Sequence, residues 1–214
     1  MLPRPLQRTR AMLFDLDGTL LDSVQSHYRV YRRVFADLQF TFDEATFAQS
    51  YSPNWYIYYE SLGLPKAQWP EADRLWLHYY AQEAPGARDG ASHVLAALRA
   101  SGRAVGVVTS GERSRVERDL VRMGWERLFD VVVCGGDTPD RKPLPGPLLH
   151  ALERVGRRAA ESAYVGDTIE DVQMGKAAGA ATVAVSGGFS SHDALRRAHP
   201  DFLVNNLQEL VGLL

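Results

Sequence analysis

After Gly90 the sequence alternates short apolar runs with amphipathic segments, and this alternation constrains the fold more than any other feature. The apolar runs are short and bounded by turn residues, which is typical of buried strands. The segments between them carry apolar residues at helical spacing. Five such strands are predicted, at residues 104–108, 131–133, 162–165, 181–185 and 202–204. Strands that alternate with helices favour a doubly wound, Rossmann-like α/β fold with a parallel sheet.

An earlier apolar run, Met12–Phe14, predicts a first strand that ends in two closely spaced carboxylates, Asp15 and Asp17. Ligands of a parallel sheet bind beyond the carboxyl ends of its strands. Gly18 follows directly and lets the backbone bend closely around a ligand. Carboxylates in this position suit Mg²⁺, because this ion prefers hard oxygen ligands. An Asp-rich turn that caps the next helix is an equally good interpretation of this spacing.

Between the first strand and residue 87, the sequence has no strand pattern and is rich in aromatic residues. From Val24 to Leu38, and again as far as residue 84, large apolar residues recur at helical spacing. Every tryptophan except Trp125 lies in this stretch. We therefore predict a small all-helical domain at residues 23–86, inserted after the first strand of a core that comprises residues 1–22 and 87–214.

The composition indicates a small-molecule partner. A net charge of −2 gives no basic surface for nucleic acid or for an acidic membrane. No run approaches the ~18 apolar residues that a membrane span needs. A single cysteine, Cys134, excludes an internal disulfide and is expected to be a small buried residue at a strand end. We predict a cytoplasmic protein, monomeric or homodimeric, in which residues 1–10 form a loose tail without a signal-peptide pattern.

Polar residues also follow the second and third strands of the chain. Thr109, Ser110 and Gly111 come just before a helix, where free N–H groups and the helix dipole favour an anion such as phosphate. Taken alone, such residues are more often ordinary helix caps. Lys142 follows the third strand after a polar loop and provides a cation, although most surface lysines are simply solvated.

Two acids, Asp167 and Asp171, follow the fourth strand with an i, i+4 spacing that places both on one face of a helix. An acidic first turn of a helix is the structural alternative. Each of these features is weak when taken alone. Four strand ends that supply carboxylates, hydroxyls, a lysine and carboxylates in order are nevertheless hard to obtain by chance. We therefore predict that they form one site at the edge of the sheet.

These residues resemble the motifs of the haloacid dehalogenase superfamily, and the resemblance covers nearly the whole chain. The stretch Asp15–Leu20 is similar to the first motif, Thr109-Ser110 to the second, Lys142-Pro143 to the third, and Gly166-Asp167 with Asp171 to the fourth. The helical insert is similar to the small cap of the phosphoglycolate phosphatase and β-phosphoglucomutase branch. Gly111 departs from the pattern, because many relatives have asparagine or another polar residue there.

The resemblance implies a Mg²⁺-dependent phosphatase that works through an aspartyl-phosphate. Asp15 would attack phosphorus, and Asp17 would protonate the leaving oxygen and then deprotonate the attacking water. The metal would be held by Asp15, by the backbone carbonyl of Asp17 and by Asp167. Asp171 would support a ligand or bind the metal through water.

The resemblance also implies which residues bind the phosphoryl group. Lys142 and the Thr109 hydroxyl would neutralise its oxygens, and both count among the catalytic residues. Gly18, Ser110 and Gly111 would complete the phosphate site with local N–H groups. No cysteine or histidine is required, and His27 is expected to be a surface or packing residue.

The expected substrate is a small phosphorylated metabolite, for example phosphoglycolate or a sugar phosphate. The helical insert would close over the sheet about hinges at residues 21–23 and 85–89 and would exclude water. The aromatic stretch Tyr51–Tyr56 could line the substrate pocket, although packing of the helical core is the other interpretation. The presence of Asp17 disfavours a dehalogenase, and the insert has no lysine placed for the Schiff base of a phosphonatase.

Two alternative functions stay open at this stage. A β-phosphoglucomutase-like phosphomutase uses the same aspartyl-phosphate but returns the phosphoryl group to a sugar. A sensor of phosphorylated metabolites that has lost turnover belongs to a different class of protein. Such a degenerate relative is expected to have lost Asp15 or Asp17, and both are present.

Overall fold

The computed structural model of the protein describes residues 6–214 and contains a parallel six-stranded sheet. The strands are β1 (Ala11–Phe14), β2 (Ala104–Val108), β3 (Val131–Val133), β4 (Ser162–Gly166), β5 (Ala181–Val185) and β6 (Phe202–Val204). Their order across the sheet is β3-β2-β1-β4-β5-β6. The winding direction reverses between β1 and β4, and this reversal is where such sheets bind ligands.

Four helices follow β1 and form the helical insert. They are α1 (Val24–Asp37), α2 (Glu44–Ser50), α3 (Trp55–Leu62) and α4 (Trp69–Tyr80). Their inner faces bury aromatic rings against one another, and Tyr31, Phe35, Tyr58 and Tyr80 are each less than 5% exposed. Aromatic residues bury a large area each, so few helices suffice for this separate core.

The two chain segments that connect the helical insert to the sheet lie side by side. Leu21 and Ala87 form an antiparallel bridge, and the Asp22 N–H donates to the Gly86 carbonyl at 2.9 Å. Both segments therefore leave the core at one point. This pairing lies beside the predicted boundaries of the helical domain and beside the predicted hinges.

The remaining helices cover the two faces of the sheet. They are α5 (Ala91–Ala100), α6 (Arg113–Arg122), α7 (Gly146–Arg154), α8 (Ile169–Ala178), α9 (His192–Arg197) and α10 (Leu207–Val211). Met12 and Phe14 of β1 pack with α5, α6 and α10, whereas Ala11 and Leu13 pack with α7 and α8. Successive residues of a strand point to opposite faces, so β1 is buried on both sides.

The predicted fold class is confirmed. The strands β2, β3, β5 and β6 have the bounds that the sequence predicts. The sequence does not predict α9, because this six-residue helix buries little besides Leu195 and shows no periodicity. The expectation of a loose tail is wrong for Leu6–Arg8, which form a short 3₁₀ helix with Leu6 buried, while residues 1–5 lie outside the described part of the chain. Within residues 6–214, no helix is long and apolar enough to cross a membrane.

We expect the packing of α5 on the sheet to contribute strongly to stability. Leu98 of α5 is fully buried, so Leu98→Ala should lower the free energy of unfolding by about 2–5 kcal/mol through lost contacts and a cavity. Leu149 of α7 is 44% exposed, and Leu149→Ala should cost less than about 1 kcal/mol. Urea denaturation followed by circular dichroism measures both. Equal losses in the two variants would contradict the packing described here.

Candidate active site

Asp15 lies directly after β1, at the centre of the carboxyl edge of the sheet. Its N–H donates to the Val165 carbonyl of β4 at 2.8 Å, so the backbone at Asp15 is still fixed by strand pairing. The chain then turns through Gly18, which has a φ of +75°. A Cβ atom at this position would lie 2.4 Å from Asp167 Oδ2, so only glycine allows Asp167 to approach the turn this closely.

Three carboxylates meet at this edge. Asp15, Asp167 and Asp171 are buried, and each offers an oxygen atom within 4.8 Å of those of the other two. The Lys142 ammonium donates to Asp15 Oδ1 at 2.5 Å and to Asp171 Oδ1 at 2.8 Å. Lys142 itself is only 2% exposed, and its peptide bond to Pro143 is cis. The structure thus brings together four predicted site residues that come from three separate parts of the chain.

Neighbouring donors hold two of these carboxylates in place. Asp167 accepts hydrogen bonds from the Thr19 hydroxyl at 2.6 Å and from the Phe189 N–H at 2.7 Å. Asp171 Oδ2 accepts from the hydroxyl and the N–H of Thr168 at 2.7 and 3.0 Å. Because Thr168 also caps α8, the first turn of that helix fixes the position of Asp171.

The charges of this cluster do not balance. One ammonium group faces three buried carboxylates. Burial and the neighbouring Asp171 raise the pKa of Asp167 to about 7, and burial raises the pKa of Asp15 well above its usual range. Burial alone would lower the pKa of Lys142, but Asp15 and Asp171 outweigh it and raise that pKa. An excess of buried carboxylate oxygens is a suitable ligand set for a hard divalent cation, which would supply the missing positive charge.

The Asp17 side chain belongs to a different set of contacts. Arg115 of α6 donates to both of its oxygens, from Nη1 to Oδ1 at 3.0 Å and from Nη2 to Oδ2 at 2.6 Å. His27 Nε2 of the helical insert lies 3.3 Å from Oδ1. Burial alone would raise the pKa of Asp17, but Arg115 and His27 outweigh it and hold that pKa well below its usual range. The Asp17 carboxyl is therefore a firmly ionised partner of a buried guanidinium.

A cavity of about 240 Å³ lies between the sheet edge and the helical insert. Its sheet side is lined by Asp15, Asp17, Thr109, Ser110 and Gly111. The Thr109 side-chain oxygen is nearly buried and accepts a hydrogen bond from the Gly111 N–H at 3.1 Å. The polar residues that follow β1 and β2 therefore line one cavity. The cluster of Asp15, Asp167 and Asp171 adjoins this cavity through Asp15.

The insert side of the cavity includes part of the aromatic stretch singled out in the sequence. Tyr51, Ser52 and Trp55 line it, and the Ser52 hydroxyl donates to Glu170 of α8 at 2.8 Å. The Tyr51 ring also stacks on Phe189 with 3.8 Å between centroids. Tyr56 does not line the cavity and is 36% exposed. Tyr51 therefore both lines the cavity and takes part in aromatic packing.

The cavity lining also includes residues that the sequence does not predict for the site, among them His27, Arg115 and Arg141. His27 is buried among aromatic rings, as expected of a packing residue, but it also touches Asp17. A sequence signal exists for it, because His27 and Tyr31 share one apolar face of α1. Arg115 lies in a helix with four arginines, where nothing in the pattern marks one of them as buried.

The comparison with protein families gives a match over most of the chain. The model of haloacid dehalogenase-like hydrolases matches residues 12–185, a range that includes all four motifs. The chain belongs to this family. The superfamily resemblance read from the motifs is thereby confirmed.

Similar proteins fit the same family of haloacid dehalogenase-like hydrolases. A phosphoglycolate phosphatase from Nitrosococcus oceani is 28% identical, with 98% of each chain covered. The "Probable phosphatase IndB" of Dickeya dadantii is 30% identical, with 94% of this chain and 91% of its own covered. The crystal structure of a hydrolase from Pseudomonas syringae superposes with a TM-score of 0.88 at 20% identity and covers 95% of this chain and 97% of its own. This last likeness shows the shared fold.

We expect the metal-free hydrolase to lose stability as the pH rises from about 4 to about 7. Asp167 has a pKa of about 7 when folded and about 3.9 when unfolded, so the folded state binds more protons between these values. That advantage, at most about 4 kcal/mol, is complete below the unfolded pKa and is lost as the pH rises through the folded value. Asp15 acts in the same direction.

Urea denaturation in EDTA at several pH values measures this dependence. Asp167→Asn should flatten it, and added Mg²⁺ should raise the stability most at the higher pH. Asp193→Asn on the exposed surface of α9 is the control and should follow the wild-type curve. Stability that rises over this range, or an unchanged slope in Asp167→Asn, would contradict the charge imbalance.

Proposed function

We propose that this protein is a Mg²⁺-dependent phosphatase that hydrolyses a small phosphate monoester through an aspartyl-phosphate on Asp15. The observation that supports this most strongly is the buried contact of Asp15 with Lys142 beside two further carboxylates, at the floor of the cavity. A carboxylate so placed is fixed in position and largely removed from water. Both conditions favour nucleophilic attack on a bound phosphoryl group.

The proposed reaction has two displacements at phosphorus. An Asp15 oxygen bonds to phosphorus while the bond to the leaving oxygen breaks, and that oxygen receives a proton from Asp17. Asp17 is ionised while it pairs with Arg115, so it must leave the guanidinium and take up a proton from water before this step. Water then attacks phosphorus and gives its proton to Asp17, and the bond between Asp15 and phosphorus breaks to release phosphate. Lys142, the Thr109 hydroxyl and the N–H groups near Gly111 would neutralise the phosphoryl oxygens.

The metal proposal follows from the donor set. Asp15 and Asp167 would hold Mg²⁺, with the carbonyl of Asp17 as a further ligand and Asp171 in support. Bound Mg²⁺ supplies positive charge that offsets the phosphoryl oxygens. The hydrogen bonds that fix Asp167 and Asp171 are the kind of support that orients metal ligands in general.

The substrate proposal rests on the size of the cavity and on the relatives. A volume of about 240 Å³ suits a small leaving alcohol. The relative from Nitrosococcus oceani is a phosphoglycolate phosphatase. Phosphoglycolate is therefore one candidate substrate, together with sugar phosphates. The helical insert would act as the cap, since Ser52 and His27 reach from it to α8 and to Asp17.

We expect Mg²⁺-dependent release of inorganic phosphate from a panel of small phosphate monoesters. Asp15→Asn removes the nucleophile and should lower kcat by about a thousandfold or more without loss of the fold. The control Asp193→Asn makes the same chemical change on the surface of α9 and should keep full activity. Phosphate release measured with and without EDTA, together with circular dichroism of each variant, gives the result.

The same assay separates the alternatives. Turnover that depends on a sugar bisphosphate, with isomerised sugar phosphate as product, would indicate a phosphomutase. Bound phosphate esters that are never cleaved would indicate a sensor. Full activity in Asp15→Asn would contradict the proposal directly.

A further inference from the structure

The pair formed by Arg115 and Asp17 has an unusual location. Arg115 is 4% exposed and lines the cavity, and both of its terminal nitrogens donate to the Asp17 carboxylate. This two-point geometry is the one in which guanidinium groups recognise carboxylates and phosphates in general. The protein therefore presents a preformed anion-binding group inside the cavity proposed for the substrate.

Gly111 makes room for this guanidinium. A Cβ atom on Gly111 would lie 1.9 Å from Arg115 Nη2 and 2.8 Å from its Cζ atom. Any other residue at position 111 would force the guanidinium to move. The glycine that departs from the pattern of many relatives is thus a steric requirement for the contact between Arg115 and Asp17.

Arg115 does not depend on Asp17 alone for its position. Its guanidinium lies 4.9 Å from the centroid of the Tyr80 ring and 5.9 Å from that of Trp76, within the range of a cation–π contact. Asp119, one turn further along α6, is fully buried with an oxygen 3.5 Å from Nη1. Arg115 can therefore stay in place and keep a carboxylate partner when Asp17 turns away.

The rest of the cavity also offers donors to a ligand. Among residues 6–214, the buried polar atoms without a hydrogen-bond partner include Arg115 Nε, Arg141 Nη1, Trp55 Nε1 and Trp76 Nε1, and all four residues line the cavity. Buried donors without acceptors are costly, so these four groups favour acceptor oxygens on a ligand beside them. The carboxylates Asp73 and Glu112 also line the cavity and disfavour an anion next to them. The Arg141 guanidinium, 4.3 Å from the centroid of the Trp55 ring, adds a second positive charge.

The proposed reaction requires an Asp17 oxygen at the leaving group, yet in this structure both oxygens are bonded to Arg115. We propose that Arg115 is a specificity-determining residue that exchanges Asp17 for a second anionic group, a carboxylate or a phosphate, on the leaving side of the substrate. This inference rests on the proposed phosphatase function. The exchange frees Asp17 to take up a proton from water and to face the leaving oxygen as the acid. An anionic leaving group thereby assists its own departure. In this structure the Asp17 carboxylate occupies the anion site.

Two pairs of phosphate esters test this inference, each with one member that carries a second anion. They are phosphoglycolate with ethyl phosphate, and 3-phosphoglycerate with glycerol 3-phosphate. The wild-type protein should have the higher kcat/KM on the anionic member of each pair. Arg115→Gln should reduce this preference by about tenfold or more, the effect of a lost charge-assisted hydrogen-bond pair. Its kcat/KM on ethyl phosphate should fall less than its kcat/KM on phosphoglycolate, because ethyl phosphate has no second anion for Arg115 to bind.

Three further variants sharpen the test. Gly111→Ala displaces the guanidinium without removing it and should also reduce the preference, whatever it does to overall turnover. Arg115→Lys keeps the charge but not the two-point contact and should give an intermediate preference. The control Arg113→Gln removes an exposed guanidinium of the same helix, which pairs with Asp137 and Glu117, and should behave as the wild type.

The outcomes distinguish the two proposals. Turnover of all four esters without an anionic preference would overturn the role of Arg115 alone. Equal losses on both members of each pair in Arg115→Gln would show a purely structural role and would also overturn it. Failure of the wild-type protein to cleave any of the four, with Mg²⁺ present, would overturn the phosphatase proposal and this inference together.

Discussion

The contact of the Lys142 ammonium with Asp15 and Asp171 is the interaction on which the rest of this site depends. It joins the end of β1, the loop after β3 and the start of α8 through hydrogen bonds of 2.5 and 2.8 Å. Removal of one member of a buried ion pair leaves an uncompensated charge, and this typically costs about 3–5 kcal/mol. The three chain segments are therefore held together at the sheet edge by one cation, and the remaining negative charge is what makes the cluster a suitable cation site.

The sequence was sufficient to predict that Asp15, Lys142 and Asp167 meet, for a physical reason. Parallel strands end at the same edge of a sheet, so residues that directly follow different strands are brought together whatever their distance along the chain. Asp15, Lys142 and Asp167 each follow a strand whose apolar run is easy to recognise. The strands themselves were equally predictable, because burial on both faces requires nearly continuous apolar runs.

The other half of the site could not be predicted in this way. Arg115 is in the middle of a surface-like helix, and His27 is in an inserted domain whose position relative to the sheet has no periodic signal. Both residues contact Asp17 only through tertiary packing. Arg115, for example, is 98 positions from Asp17 in the sequence. The departure at Gly111 was visible in the sequence, but its cause required the position of the Arg115 guanidinium, 1.9 Å from the missing Cβ atom.

The two sides of the candidate site offer different groups to a ligand, and this division is consistent with phosphoryl transfer. Below Asp15, buried carboxylates outnumber the single ammonium group, so this side favours a cation. Across the cavity, Arg115, Arg141 and two indole N–H groups favour acceptor oxygens. A phosphate ester with a second anion would satisfy both sides at once, with the phosphoryl group at Asp15 and the second anion at the arginines. The second anion of such a ligand would replace the Asp17 carboxylate at Arg115. The selectivity for anionic substrates and the release of Asp17 for proton transfer would then depend on the same guanidinium.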